Sequence, residues 1–133
     1  MRDGRRSADG GASRGSVLVS REYEYLRVNR FGFAEYADMG ELCGHLDISE
    51  LTENLNRIVK LVLLDEPGIL DSMSDAAQAD FAVPLGLCAR MLRGGDYSTM
   101  ELISAACTVR YCAEPHMSEF PDELVSTLAQ LPR

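Results

Sequence analysis

Apolar residues recur at intervals of three and four along most of the chain, which is the spacing of amphipathic helices. The clearest example follows Asp47, where Glu50 lies three residues later, as in an N-terminal capping box. The apolar positions of this predicted helix are Ile48, Leu51, Leu55, Ile58, Val59 and Val62. The sequence Glu66-Pro67-Gly68 is expected to end it.

The N-terminal part also favours helices. The stretch VLVSREYEYLRVNRF (17–31) predicts a first helix, which Gly32 interrupts. The stretch FAEYADMGELCGHL (33–46) predicts a second helix that is less regular, because glycine weakens helices. No segment combines two-residue alternation with hairpin turn residues. The chain therefore predicts an all-α domain of about six or seven helices.

The run Val83–Leu92 is apolar nearly all round, which predicts a helix at the centre of a bundle. Ser74 is expected to cap the helix that leads into it, and Pro84 is expected to kink or break the helical path. The pair Gly94-Gly95 should terminate the run.

A Ser-x-x-Glu capping box, Ser98 with Glu101, predicts the start of a helix over 99–112. Glu114-Pro115 should end that helix. Pro121 fits the first position of a final helix, DELVSTLAQL (122–131).

Composition indicates one globular domain. The chain has 133 residues, of which 46% are hydrophobic. Residues 1–16 are rich in Gly, Ser and Arg and are expected to form a disordered tail, with residues 17–133 as the helical domain. The net charge of −8 argues against a nucleic-acid binder. No stretch approaches the roughly 20 apolar residues of a membrane span, and the N-terminus has no secretory h-region. A cytosolic location with reduced cysteines is therefore expected.

The cysteine and histidine pattern does not predict a metal site. The nearest constellation is Cys107, Cys112 and His116, with Cys43 and His45 as further candidates. Zinc needs four converging ligands, whereas Cys107 and Cys112 lie about 140° apart around a helix. Small buried apolar side chains are the simpler interpretation of these cysteines.

Catalytic groups are equally scarce. A nucleophile needs a base within hydrogen-bond distance, and His45 and His116 each stand alone in the sequence. Gly94-Gly95 lacks the pattern of a phosphate loop. We therefore predict a protein that is not an enzyme and needs no cofactor.

Aromatic residues crowd the first two predicted helices, at Tyr23, Tyr25, Phe31, Phe33 and Tyr36. They fit either of two roles. The first is core packing. The second is a protein interface, because tyrosine offers a large contact area with little entropy loss.

The stretch VPLGLCARMLRGGDYSTMELISAA resembles the signature region of the poxvirus Bcl-2-like immune-evasion proteins. Leu85-Gly86-Leu87-Cys88-Ala89 and Gly94-Gly95 match its order and spacing. EYEYL (Glu22–Leu26) is similar to the aromatic first helix of that family. The helix from Asp47 lies where the family has its long second helix.

The resemblance implies a Bcl-2-like helical bundle in the cytoplasm of a host cell. It implies inhibition of innate NF-κB signalling by binding a host adaptor or kinase, with homodimerisation through the first and sixth helices. The alternative is an anti-apoptotic protein that holds pro-apoptotic helices in a groove. Cellular groove proteins carry Asn-Trp-Gly-Arg, and this chain has Arg93-Gly94-Gly95-Asp96 at that turn, which favours signalling inhibition. Residues expected in a partner or dimer interface are Tyr23, Arg27, Phe31, Tyr36, Arg93, Asp96 and Tyr97.

Overall fold

The computed structural model describes residues 25–42, 44–65 and 69–132. The predicted tail, Tyr23 and the Glu66-Pro67-Gly68 helix end lie outside these residues. The elements run in the order β1 (Tyr25–Val28), β2 (Ala34–Tyr36), α1 (Met39–Leu42), α2 (Ile48–Val59), α3 (Asp75–Ala77), α4 (Val83–Gly94), α5 (Thr99–Ala113) and α6 (Asp122–Leu128). Short π-helical turns follow α2 (Lys60–Leu64) and α3 (Gln78–Ala82). Turns of 3₁₀ helix span Leu70–Ser72 and Glu114–Glu119.

The prediction of a largely helical domain is confirmed, but its N-terminal part is wrong. Residues 25–28 form a strand instead of the first helix, and residues 34–36 form a second strand where the second helix was expected. The strands pair antiparallel, with Arg27 opposite Glu35. The reason is the turn between them: Gly32 has φ +93°, a left-handed conformation that glycine adopts without strain. Only Met39–Leu42 keeps the predicted second helix.

Helix α2 forms as its apolar spacing predicts. Asp47 Oδ1 accepts a hydrogen bond from the Glu50 N–H at 3.1 Å, so the expected cap is confirmed. The buried positions of the helix are Leu51, Leu55, Ile58 and Val59. This face packs against α4, α5 and α6.

Pro84 changes the helical path without breaking it. Ser74 caps α3 as predicted, since its hydroxyl accepts the Ala77 N–H at 3.2 Å. The backbone then stays helical from Asp75 to Gly94. Because proline has no N–H to donate, the turn before it widens to the π-helical Gln78–Ala82. Gly95 ends α4 with φ +74°, as the glycine pair predicted.

The central helix is α5, and the prediction that Val83–Leu92 occupies the centre is wrong. Helix α4 buries one stripe, Leu85, Cys88 and Met91, and leaves Val83 62% exposed. The buried residues of α5 are Glu101, Leu102, Ile103, Ser104, Ala105, Ala106, Cys107, Val109 and Ala113. Small side chains let neighbouring elements approach α5 closely from several sides, and it contacts α1, α2, α4 and β2.

The C-terminal part closes the bundle. The capping box at the start of α5 forms in both directions, as predicted. Helix α5 ends at Ala113, and α6 begins one residue after Pro121, which therefore lies just outside the helix. Phe120 packs its ring 5.2 Å from that of Phe81. Within the described ranges, none of the helices combines the length and apolarity needed to cross a bilayer.

Candidate functional site

The β-hairpin and the adjoining start of α5 are joined by a network of polar side chains. We call residues 25–36 together with 96–101 the hairpin end. Its turn is organised by Asn29, which is buried. Asn29 Oδ1 accepts the N–H groups of Phe31 (3.0 Å) and Phe33 (3.1 Å), and the Asn29 N–H donates to the Phe33 carbonyl at 2.8 Å. Asparagine suits this position because its side chain can imitate a backbone turn.

A buried carboxylate continues this network. Glu35 is 3% exposed, although it lies on a two-stranded sheet. Its Oε2 accepts a hydrogen bond from Asn29 Nδ2 at 3.1 Å, and its Oε1 accepts one from Arg27 Nε at 2.9 Å. Both oxygens therefore have donors, as burial of a charge requires. The two strands are tied together by side chains as well as by backbone pairing.

Arg30 joins the hairpin to α5. Its guanidinium donates to Glu101 through Nε (3.0 Å) and one terminal nitrogen (3.2 Å), and to the Asp96 carbonyl at 2.7 Å. It also lies 4.6 Å from the ring centre of Phe31, a cation–π distance. Glu101 closes the capping box of α5 by accepting the Ser98 N–H at 2.8 Å. The hydrogen bonds from Arg30, and then from Ser98, lower the pKa of Glu101.

Strand β1 presents apolar groups to solvent. All four of its residues are exposed, and Tyr25, Leu26 and Val28 each retain more than half of their accessible surface. Tyr25 meets Tyr36 edge to face, with ring centres 5.8 Å apart. Burial, and then the neighbouring Tyr25, raise the pKa of Tyr36. A rigid turn thus holds an apolar strand outward, an arrangement suited to contact with another macromolecule.

The structure brings together part of the predicted interface. Arg27, Phe31 and Tyr36 share the hairpin, and Asp96 joins them through Arg30, whose guanidinium lies 4.0 Å from the Asp96 carboxylate. Tyr97 follows directly in the same loop. Arg93, in the last turn of α4, is exposed. Each of the two roles considered for the aromatic residues applies to one of them: Phe33 packs in the core, whereas Tyr25 is exposed on the surface.

Cys88 and Cys112, two of the described cysteines, are not activated as nucleophiles. Cys88 and Cys112 are free thiols, Cys107 is buried, and Cys43 lies outside the described residues. Burial raises the pKa of Cys88 to about 12, and burial together with Asp80 raises that of Cys112, so both remain protonated. In the part of the chain that the structure covers, no three His, Cys, Asp or Glu side chains are arranged to hold a metal ion.

His116, in contrast, does not stand alone. Its Nε2 lies 3.0 Å from Asp80 Oδ2, and its Nδ1 lies 3.5 Å from Glu119 Oε2. Glu119 also accepts the Ser74 N–H (2.9 Å) and hydroxyl (3.0 Å), and these bonds lower the pKa of Glu119. The Ser74 hydroxyl is directed at Glu119 and not at the imidazole, so this is not a serine–histidine pair of the hydrolytic kind.

Sequence reasoning missed the contacts that build the hairpin end and the group around His116, and it did not single out Asn29, Arg30 or Asp80. Arg30 reaches Glu101 across 71 positions, and His116 reaches Asp80 across 36, so no local pattern connects them. The sequence does contain one indication of the hairpin, at Asn29 and Gly32, because an Asn-x-x-Gly segment between apolar residues is typical of a turn.

Comparisons of the chain with protein-family models, with curated proteins and with solved structures give no match in any of the three cases.

Proposed function

We propose that this protein acts by binding another protein through the hairpin end, without catalysing a reaction. The observation that carries the proposal is the exposed apolar strand β1 on an internally hydrogen-bonded turn. Binding through a preorganised surface loses less conformational entropy than binding through a mobile loop. The aromatic and arginine side chains beside it, Phe31, Tyr36 and Arg30, are of the types that dominate protein interfaces.

The narrower proposal is inhibition of host NF-κB signalling in the cytoplasm, by stoichiometric binding of an adaptor or kinase. It is supported by the signature stretch, whose residues Leu85–Ala89 lie in α4 and whose Gly95 ends it. The similarity of Glu22–Leu26 to a first helix gives no support, because Tyr25 and Leu26 belong to a strand. The Bcl-2-like arrangement of the bundle is part of the same proposal.

One argument against the groove-binding alternative changes with the structure. Asp96 lies three residues after Arg93 and would be expected to compete for it, whereas the Asp96 carboxylate lies beside Arg30. Exposed Arg93 is therefore a candidate partner for the aspartate of a pro-apoptotic helix. We keep this function as the second candidate, and direct peptide binding decides between the two.

The test uses surface variants of the full chain. The double variant Leu26→Ser/Val28→Ser should lose inhibition of an interleukin-1 or Toll-like receptor reporter. Leu64→Ser is the matched control, because Leu64 is 70% exposed but lies after α2, outside the hairpin. Both variants should keep their free energy of unfolding within about 0.5 kcal/mol. Full inhibition by the double variant would refute the hairpin end as the contact surface.

Peptide titration separates the two functions. Under the signalling proposal, pro-apoptotic helical peptides should bind with Kd weaker than about 1 μM, and the protein should protect little against mitochondrial death. Nanomolar peptide binding that Arg93→Glu abolishes, with an unaffected reporter, would reverse the order of the two candidates.

Self-association is the remaining part of the proposal. Tyr23 lies outside the described residues, and Arg27 lies on a strand, so the expected shared helical face does not exist at Arg27. A dimer formed through β1 would be weakened by Arg27→Glu, which also breaks the bond to Glu35. Sedimentation of the wild-type protein at a concentration on the order of tens of micromolar tests for the dimer. If the protein sediments as a monomer at that concentration, the dimer is excluded.

A further inference from the structure

Strand β1 has an open backbone edge. Within the described residues the sheet has two strands, and β1 pairs with β2 on one side only. The Asn29 N–H donates to the Phe33 carbonyl at 2.8 Å, so these two residues form a hydrogen-bonded pair. Bonded and non-bonded pairs alternate along an antiparallel ladder, and Val28 therefore occupies a non-bonded position opposite Ala34. The N–H and carbonyl of Val28 point away from β2, toward the open edge.

The solvent-facing side of the hairpin is apolar. Residues opposite each other in an antiparallel pair share a face, and Tyr25 is opposite Tyr36 as Val28 is opposite Ala34. A register shift after Tyr25 places its side chain on the face of Val28, although the two are three residues apart. Both side chains are 56% exposed, whereas Glu35, on the opposite face, is buried. The usual arrangement, with the polar side chains outward, is thus reversed in this hairpin.

We propose that the open edge of β1 binds an extended segment of a partner protein, which adds a third strand with an acidic side chain beside Arg27 and apolar side chains on the face of Tyr25 and Val28. The inference rests on the proposed function, because it specifies how the hairpin end holds its partner. An exposed apolar edge strand is a template for such pairing. Backbone hydrogen bonds then supply affinity, and alternate side chains of the added strand supply specificity.

Charge complementarity indicates the acidic side chain. The Arg27 side chain is 66% exposed and that of its partner Glu35 is 4% exposed, so the positive end of this ion pair faces solvent. The ion pair of Arg30 with Glu101 is oriented in the same way, but the exposed Asp96 lies beside Arg30. Within the described residues Arg27 bonds Glu35 through Nε, which leaves its terminal nitrogens for an acceptor on the added strand. A carboxylate complements this position.

A second copy of the chain fits this edge less well. Tyr25, Leu26 and Val28 are 56%, 51% and 56% exposed. Covering them completely in two copies would bury roughly 600 Å², whereas a stable interface buries about 1,200 Å² or more. A symmetric pairing would also bring a second Arg27 to the same four-residue strand. A short extended segment needs less area than a dimer does, since most of its hydrogen bonds are made along one strand.

The first experiment titrates the full chain with a synthetic peptide of alternating valine and glutamate, with a valine–lysine peptide as the matched control. The net charge of −8 favours the lysine peptide. The glutamate peptide should nevertheless bind at least about threefold more tightly, and Arg27→Gln, which keeps a donor for Glu35, should remove the difference. Preference for the lysine peptide, or no binding of either peptide at about 1 mM, would overturn the inference.

Two variants of Val28 separate strand addition from apolar contact. Val28→Pro keeps an apolar side chain and removes the outward N–H, a change that edge strands accept. Val28→Ala keeps the N–H and removes two methyl groups. Strand addition requires the proline variant to lose about tenfold in affinity and to bind more weakly than the alanine variant. The reverse order would show that the apolar surface alone makes the contact and would overturn the inference.

Backbone N-methylation of the glutamate peptide covers the case in which Val28→Pro does not fold. Alternate N–H groups of an added strand face β1 and the other set faces solvent. Methylation of one set should abolish binding, and methylation of the other set should leave it within about twofold. Equal effects of the two sets would overturn the inference.

Hydrogen exchange identifies the other possible occupants of the edge. The Val28 amide should exchange rapidly in the free protein and become protected by about tenfold or more with the glutamate peptide. Protection that rises with protein concentration would assign the edge to a second copy, and protection that does not depend on concentration would assign it to the chain itself. Either result would overturn the inference.

The proposed function fails in a different way. If Leu26→Ser/Val28→Ser keeps full inhibition of the reporter, the hairpin end is not the contact surface, and the inference falls with it. If that double variant loses inhibition while Val28→Pro keeps it in full, the hairpin end remains the contact surface and strand addition alone is overturned.

Discussion

Replacing Asn29 with alanine should destabilise the protein by about 3 kcal/mol. The side chain accepts the Phe33 N–H and donates to Glu35, and both bonds are buried. Each buried group left without a partner costs about 1–3 kcal/mol. The third bond, to the Phe31 N–H, is partly buried, so water can replace some of it. We take about 2 kcal/mol for each buried bond and reduce the sum because the turn is next to solvent.

The assay is urea denaturation followed by circular dichroism, with Asn56→Ala as the matched control. Asn56 makes one exposed hydrogen bond, to the Thr52 carbonyl, so its removal should change stability by less than about 0.5 kcal/mol. Asn29→Asp separates the two roles of Asn29. It keeps the oxygen that accepts the backbone N–H groups and places a carboxylate against Glu35, so it should also destabilise the protein.

Two results would contradict this reasoning. If Asn29→Ala is as stable as wild type, the hairpin either folds independently of the core or does not depend on the buried network. If Asn29→Asp is neutral while Asn29→Ala is not, the bond to Glu35 contributes nothing and only the turn matters.

Four further predictions test the rest of the structure. Leu102→Ala should cost about 2.5–5 kcal/mol by chemical denaturation, because Leu102 is fully buried in α5. Gly95→Ala should destabilise the protein by about 1 kcal/mol, because alanine is strained at the positive φ of this residue. Gly94→Ala should stabilise it by up to about 1 kcal/mol, because Gly94 belongs to the last turn of α4 and has open space around it, and thermal melts distinguish the two variants. The hydrogen bond from Arg30 is the largest cause that lowers the pKa of Glu101, so the carboxylate stabilises the folded state above its ordinary pKa of 4.5, and this stabilisation is lost as pH falls. Glu101→Gln should therefore make the free energy of unfolding less dependent on pH in the acidic range. Melting temperatures should not change with a chelator or a reductant, and a fall of several degrees would contradict a fold without metal or disulfide.

The sequence predicts α2 and the capped ends of α4 and α5 because the causes are local. Asp47, Ser98 and Gly95 act on backbone groups within four residues, and the apolar stripe of α2 repeats at the helical period. Such patterns are readable without knowing the neighbours.

Local patterns indicate only the turn of the hairpin, at Asn29 and Gly32, and they do not predict the central helix. Tyr25–Val28 has residues compatible with either element, and the choice depends on Asn29 and Glu35 meeting across the turn. Helix α5 contains polar residues that argue against burial, yet Ser104 is buried with its hydroxyl directed at the Met39 sulfur (3.3 Å) and Glu101 with Arg30. Ser104 and Met39 lie 65 positions apart, and Glu101 and Arg30 lie 71 apart, so no local pattern indicates that these residues are buried.

The π-helical turn before Pro84 affects which changes in chain length the fold can accept. A turn closed by i→i+5 hydrogen bonds contains one residue more than an α-helical turn, so removing one residue from Gln78–Ala82 restores α-helical pairing and leaves the orientation of α4 nearly unchanged. The same deletion in α5 would rotate everything after it by about 100° and turn its buried positions away from their neighbours. The helical segment before Pro84 should therefore tolerate insertions and deletions better than α5 does. Changes in chain length among descendants of this sequence should accumulate ahead of Pro84 and be excluded from Thr99–Ala113.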